Sequence, residues 1–297
     1  MVFHHLFFTR STRSSEGFDW IKMLLIIEAL LLILAALGQD HSAAKVEGPI
    51  YPLDMALNSV DDQYKGCTGK MERLVKTKYL KKELDNSNDF RNAWKLSEKN
   101  ISFWNIASKL KRTHKIAISV YTHPTSKIYL KFNNDTRNGK QNYTDMTYKW
   151  YSLQFLLTDA IQILKKTQNA CFKTFRGTNV IFNGNVSTEI RFGSFTSSSE
   201  YRSRAKVFGN VSCFEIYTCE GANVTKYSKV SYEGEVLIPP YEKFMVTAVK
   251  TRGEQKGLWC DTVNTLNSTG TRSDLNCALF KKPSKTKTKY YALNNVL

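Results

Sequence analysis

The chain has 297 residues, 42% hydrophobic and 23% charged, which excludes wholesale disorder and allows one or two domains with a buried core. Lys and Arg outnumber Asp and Glu by 43 to 26, a formal net charge of +17. Such an excess attracts polyanions or phosphate-bearing substrates, but it speaks to association and not to fold, so it selects no partner by itself.

Met23 to Leu37 reads MLLIIEALLLILAAL, apolar except for Glu28, with Lys22 before it and Arg10 and Arg13 upstream. A basic region, a short apolar run and small residues at Ala36-Leu37-Gly38 make a signal peptide, with cleavage expected after Gly38. The run falls short of the ~20 apolar residues of a spanning helix. An uncleaved signal-anchor is the alternative, and translation starts at either Met1 or Met23. The expected organisation is a signal over 1–38, one folded unit over 39–280 and a basic tail over 281–297. The tail carries lysines from Lys281 to Lys289 and no hydrophobic run of the ~10–20 residues a GPI signal needs, so secretion is expected. The lysines read as a solvated tail, with weak binding of anionic glycans as a second use.

The first half of the mature chain reads as helical. Met71 to Leu84 has apolar residues at helical spacing, and Phe90 to Leu96 suits a second helix capped by Asn88 or Asp89. Leu153 to Lys165 is the clearest: Leu153, Leu156, Leu157, Ala160, Ile161 and Leu164 recur on one face, closed by Lys165 and Lys166. After Ala170 the texture changes to short runs rich in Phe, Val, Ile, Tyr and Thr, separated by Gly and Asn. Cys171–Arg176, Ile190–Thr196, Val211–Cys219, Val236–Ile238 and Phe244–Val249 read as strands of a mostly antiparallel sheet. The fold class expected is α+β.

Seven Asn-X-Ser/Thr sequons follow the signal, at Asn100, Asn134, Asn142, Asn185, Asn210, Asn223 and Asn267. Six cysteines, Cys67, Cys171, Cys213, Cys219, Cys260 and Cys277, fit three disulfides in an oxidising compartment, with fifteen connectivities open. There is no CxxC pair and the five His are scattered, so no metal site is expected.

Four short stretches carry candidate chemistry. In Phe175-Arg176-Gly177-Thr178 a strand-end guanidinium can grip a phosphate through parallel hydrogen bonds, and Gly177 lets a ligand approach the backbone. In Arg191-Phe192-Gly193 through Thr196-Ser197-Ser198-Ser199, clustered hydroxyls can hold a ribose, although a Ser-rich turn is the commoner meaning. In Glu233-Gly234-Glu235-Val236-Leu237-Ile238-Pro239 the two carboxylates should share one strand face, where like charge lifts one pKa. Asp61-Asp62-Gln63-Tyr64 leads into Cys67 and alone is a polar prelude.

In this order the four stretches resemble the vertebrate ecto-ADP-ribosyltransferases, arginine-specific mono-ADP-ribosyltransferases with an Arg–Ser–Glu signature. The resemblance covers roughly residues 45–280. It implies the ADP-ribosyltransferase fold around an NAD cleft, with NAD as a consumed substrate and no bound cofactor. It gives Arg176 the NAD phosphates and the nicotinamide-side ribose, and Ser197 the orientation of that ribose and of the catalytic carboxylate, Glu235. Glu233 would orient the acceptor guanidinium, Phe208 would stack on nicotinamide, and Tyr121, Gly177 and Ser228 would belong to the NAD pocket. It also implies the pairs Cys67–Cys277 and Cys171–Cys219, leaving Cys213 with Cys260. The implied partners are NAD and arginine-bearing extracellular or cell-surface proteins; no nucleic-acid partner is expected, and a monomer is. The alternatives are an NAD glycohydrolase of the same fold and a non-catalytic secreted basic glycoprotein.

Overall fold

The computed structural model describes residues 50–101 and 109–281. The expected signal peptide and the tail beyond Lys281 lie outside these residues.

A continuous helical stretch follows Cys67, made of α1 (Thr68–Leu74), a π turn over Val75–Tyr79 and α2 (Leu80–Asn86). The buried positions are Met71, Val75, Tyr79 and Glu83, one every fourth residue. A 3.6-residue helix would carry that spacing off the core face, and the wider π turn takes up the drift. Helix α3 (Asn88–Ile101) buries Phe90, Ala93, Trp94, Ser97 and Ile101. Its first turn is capped by Ser87, whose Oγ accepts the Phe90 N–H at 3.2 Å, one position before the caps expected from sequence. The later helices are α4 (Arg112–Tyr121), α5 (Ile128–Asn138), the short α6 (Lys140–Thr144) and α7 (Tyr151–Gln168). Helix α7 runs through the helical core and is buried from Tyr151 to Thr158.

The second half forms an eight-stranded sheet. Its strands are β2 (Phe172–Arg176), β4 (Glu189–Ile190), β5 (Thr196–Ser199), β6 (Ser212–Thr218), β7 (Ala222–Asn223), β8 (Glu235–Ile238), β9 (Glu242–Thr251) and β10 (Thr262–Thr271). The order is β4-β9-β10-β6-β2-β5-β8-β7, antiparallel except for the β10–β6 pair. Two further strands, β1 (Ile50–Pro52) and β3 (Ile181–Asn183), pair in parallel. The single strand expected over Ile190–Thr196 is instead two. β4 pairs with β9, the chain turns at Gly193 (φ +71), and β5 pairs with β2 and β8. Strand β10 was not expected, because Thr262–Thr271 is mostly Thr, Asn, Ser and Gly.

Three disulfides, Cys67–Cys277, Cys171–Cys219 and Cys213–Cys260, brace the unit. The first joins residues 210 apart in sequence, and a buried polar node reinforces it. Asp61 pairs with Arg191 and accepts the backbone N–H groups of Asp274 and Leu275, both at 2.9 Å. Asp62 accepts the N–H groups of Tyr64 and Cys277 at 2.7 and 2.9 Å and the Tyr143 hydroxyl at 2.8 Å. The prelude to the first cysteine is therefore a buried clasp.

Burial pushes the Asp62 carboxyl up to about 6 and that of Glu83 up to about 8. Glu83 accepts the Ser152 N–H through both oxygens, at 3.2 and 3.1 Å, in the first turn of α7. The folded state thus holds protons that the unfolded chain, with ordinary carboxyls near 4, has released. Stability should be greatest at mildly acidic pH and fall as pH rises through the folded pKa values. Thermal unfolding followed between pH 5 and 8 should show a Tm several degrees lower at pH 8. Glu83→Gln, which keeps the carbonyl acceptor and removes the proton, should flatten that dependence.

Candidate active site

Three neighbouring strands carry the three signature side chains. Arg176 ends β2, Ser197 lies in β5 and Glu235 opens β8. In the β5–β8 ladder Ser199 stands opposite Glu235, which puts Ser197, two residues away, on the same face. Ser197 Oγ donates to Glu235 Oε1 at 2.7 Å, and Ser228 Oγ donates to Oε2 at 2.8 Å. Both carboxylate oxygens are therefore held. Arg176 Nη1 donates to the Ser197 carbonyl at 2.7 Å, and among the described residues Arg176 makes no ion pair. Its guanidinium keeps donors for an anion.

Glu235 is only 5% exposed. Burial raises its pKa, the two serine hydroxyls oppose the rise, Glu233 adds to it and Arg176 opposes it. Like charge from Glu233 is thus a lesser cause than desolvation. The expectation that Glu233 and Glu235 share a strand face is corrected: Glu233 lies in a 3₁₀ turn (Ser231–Glu233), and Gly234 adopts a left-handed conformation (φ +57) before β8 begins. Glu233 is half-buried and its pKa is raised by burial, against the attraction of Arg204. A side chain at Gly234 would also meet the Tyr201 ring, 2.6 Å from where its Cβ would sit. The turn is tied down by the Ser199 hydroxyl on the Glu233 carbonyl and by the Glu200 N–H on the Gly234 carbonyl at 3.0 Å.

Tyr121 is buried beneath β5. Its hydroxyl donates to the Phe195 carbonyl at 3.0 Å and accepts from Asn133 at 3.1 Å, and burial pushes the phenol up to about 12. Ser228 is set by the Val230 N–H on its Oγ at 3.1 Å, while the Lys229 N–H donates to Thr122 Oγ1 at 3.1 Å. Phe208 lies in an exposed turn, Lys206–Phe208, with 55% of its surface open. What approaches Gly177 is protein: a Cβ there would collide with the Ala205 and Gly209 carbonyl oxygens. Of the serine cluster, only Ser197 reaches Glu235; Ser198 and Ser199 hydroxyls bond to the carbonyls of Val236 and Glu233. Arg191 belongs to the buried clasp, donating to the carbonyls of Met55, Ala56 and Arg272 besides its pairing with Asp61.

Sequence reasoning missed Asn133, Tyr201 and Arg137. Arg137 donates to Ser194 Oγ at 3.0 Å and the Phe192 carbonyl at 3.3 Å. Its positive charge is felt at Arg176. All three act across long sequence separations, and no local pattern marks them.

Such an arrangement can grip an anion at Arg176 and place a fixed carboxylate against developing positive charge at Glu235. Because hydroxyl donors favour the charged carboxylate, removing one should raise the Glu235 pKa further. In Ser228→Ala, titration of the Glu235 carboxyl by NMR should show a midpoint above that of wild type. An unmoved midpoint would remove Ser228 from this role.

Comparison with known proteins follows the same line. A family model described as ART, NAD:arginine ADP-ribosyltransferase, matches residues 53–268. Ecto-ADP-ribosyltransferase 4 of Mus musculus is 35% identical over 274 residues, covering 86% of this chain and 86% of its own length. Erythroblast NAD(P)(+)--arginine ADP-ribosyltransferase of Gallus gallus is 33% identical over 272 residues, with 86% of each chain covered. The crystal structure of the eukaryotic mono-ADP-ribosyltransferase ART2.2 superposes with a TM-score of 0.66 at 30% identity, over 78% of this chain and 100% of that one. A mutant of ART2.2 has been solved in complex with NAD.

Proposed function

Because the chain belongs to the NAD:arginine ADP-ribosyltransferase family, we propose that it transfers ADP-ribose from NAD to arginine side chains of extracellular or cell-surface proteins, releasing nicotinamide. The observation that carries this reading is the Glu235 carboxylate held by Ser197 and Ser228, with Arg176 bonded to the Ser197 backbone. NAD is the consumed substrate, and Arg176 takes its phosphates. As the bond from the ribose C1′ to the nicotinamide nitrogen breaks, its electron pair leaves with nicotinamide and positive charge builds on the sugar. Glu235 stabilises that charge and accepts a hydrogen bond from the ribose 2′-hydroxyl. A guanidine nitrogen of the acceptor then bonds to C1′, and its proton passes to Glu233. The raised Glu233 pKa makes it a better proton acceptor than an ordinary carboxylate.

Tyr121, Gly177, Ser228 and Phe208 complete the NAD pocket in this reading. Tyr121 and Ser228 act by fixing β5 and Glu235, Gly177 by admitting the 205–209 segment beside Arg176, and Phe208 as an exposed ring free to cover nicotinamide. Three disulfides and exposed sequon asparagines at Asn134, Asn142, Asn185, Asn210 and Asn267 fit a protein that matures in an oxidising, glycosylating compartment and is secreted. Asn223 fits less well, since its amide donates to Glu200 at 2.6 Å and its carbonyl oxygen accepts the Thr225 N–H. Incubation with labelled NAD and agmatine should place label on agmatine. Glu235→Ala should abolish turnover, and Glu233→Ala should leave NAD hydrolysis while losing transfer. Hydrolysis alone by wild type would make the chain a glycohydrolase.

A further inference from the structure

We infer that the acceptor arginine is recognised together with acidic neighbours, and that the groove beside the Glu233 turn, with its cationic rim, docks an acidic segment of the target protein. The inference rests on the transferase reading above and names the substrate class of that site.

A groove of about 1030 Å³ is bounded by Phe172, Tyr201, Lys226, Ser231, Tyr232 and Gly234. Arg176, Ser197 and Glu235 do not line it. Tyr232 and Gly234, the neighbours of Glu233 in sequence, line it although Glu233 does not, so it lies beside the Glu233 turn and apart from the residues assigned to NAD.

The two segments flanking that groove are basic. One, from Tyr201 to Phe208, carries Arg202, Arg204 and Lys206; the other, from Val224 to Tyr232, carries Lys226 and Lys229. All but the half-buried Lys229 are exposed. The carboxylates beside them are Glu200, which lines the groove and accepts from the neutral Asn223 amide at 2.6 Å, and Glu215, 3.3 Å from Arg202. The Arg204 guanidinium sits 5.0 Å from the centroid of the Tyr232 ring and makes no ion pair among the described residues. Glu233 thus stands beside a groove whose flanks are predominantly basic, with Glu200 as the carboxylate lining it.

That rim sets a condition on the substrate. The target arginine is itself cationic, so Glu233 attracts it while the surrounding Arg and Lys residues repel it. Lys or Arg beside the target adds repulsion, and Asp or Glu beside it reverses the sign. Such rim electrostatics act on encounter and partner choice and are screened by salt. The exposed rings of Tyr201 and Tyr232, 56% and 64% open, offer contact area whatever the sequence.

The test uses the full secreted chain, labelled NAD, agmatine as a reference acceptor, and three peptides with one arginine flanked by Glu, Ala or Lys. At low salt kcat/KM should fall in the order Glu, Ala, Lys, with about tenfold between the extremes, and the spread should collapse near ~0.5 M salt. The double variant Arg204→Glu with Lys226→Glu should invert the order. Equal rates for the three peptides, or an order unchanged in the variant, would overturn the inference. So would a variant whose KM for NAD rises while the peptide order stays, because the rim would then serve the dinucleotide. Those failures leave label on agmatine. If agmatine is never labelled, the transferase reading has failed and takes the inference with it.

Discussion

The buried pair between Asp61 and Arg191 is the interaction around which this fold is organised. Its two charges are almost fully enclosed, with side-chain exposures of 1% and 0%. Such a pair is tolerated only when the remaining donors and acceptors are met, and here they are: Asp61 takes two backbone N–H groups, and Arg191 reaches three carbonyls. Removing either partner would strand the other charge, a loss on the order of 3–5 kcal/mol. The pair does more than hold residue 61 to the 272–275 segment. Arg191 directly follows β4, and a turn later the chain enters β5 with Ser197. The buried guanidinium thereby anchors the segment that delivers Ser197 to Glu235.

The site itself divides rigidity between its two acids. Glu235 is placed on a fully buried strand, with both oxygens held, as suits a group that must meet charge without moving. Glu233 projects from a turn whose shape depends on a left-handed glycine packed under Tyr201. In the proposed reaction Glu235 serves the NAD half and Glu233 faces the acceptor. A strand and a turn, two residues apart, provide those different mechanical settings.

Much of this was legible in the sequence. The α+β class and the long helix, read over Leu153 to Lys165 and found over Tyr151–Gln168, announce themselves through local pattern, whereas the Arg, Ser and Glu stretches stand out only through their joint family resemblance. What was hidden depended on context. Glu233-Gly234-Glu235 reads as strand alternation until the glycine takes positive φ and turns the first acid out of the sheet. Arg191 reads as part of a binding motif, yet its partners lie in segments far away along the chain. Strand β10 hides because its residues are polar; pairing with β9 on one side and β6 on the other supplies what propensity does not. Ser228 had only a family resemblance to recommend it, and its hold on Glu235 follows from the path of a loop.

The Cys67–Cys277 bond carries a consequence for biogenesis. Its second half, and the amides of residues 274–277 that grip Asp61 and Asp62, are among the last parts of the unit to leave the ribosome. The N-terminal clasp therefore stays open through nearly all of synthesis, and a topology so rich in distant contacts closes late. Thr136, the hydroxyl residue of the Asn134 sequon, is completely buried in the closed fold with its Oγ on Tyr148. Any sugar on Asn134 must consequently be installed on the nascent chain, before the clasp shuts. The order of covalent events is then set by where the final cysteine lies.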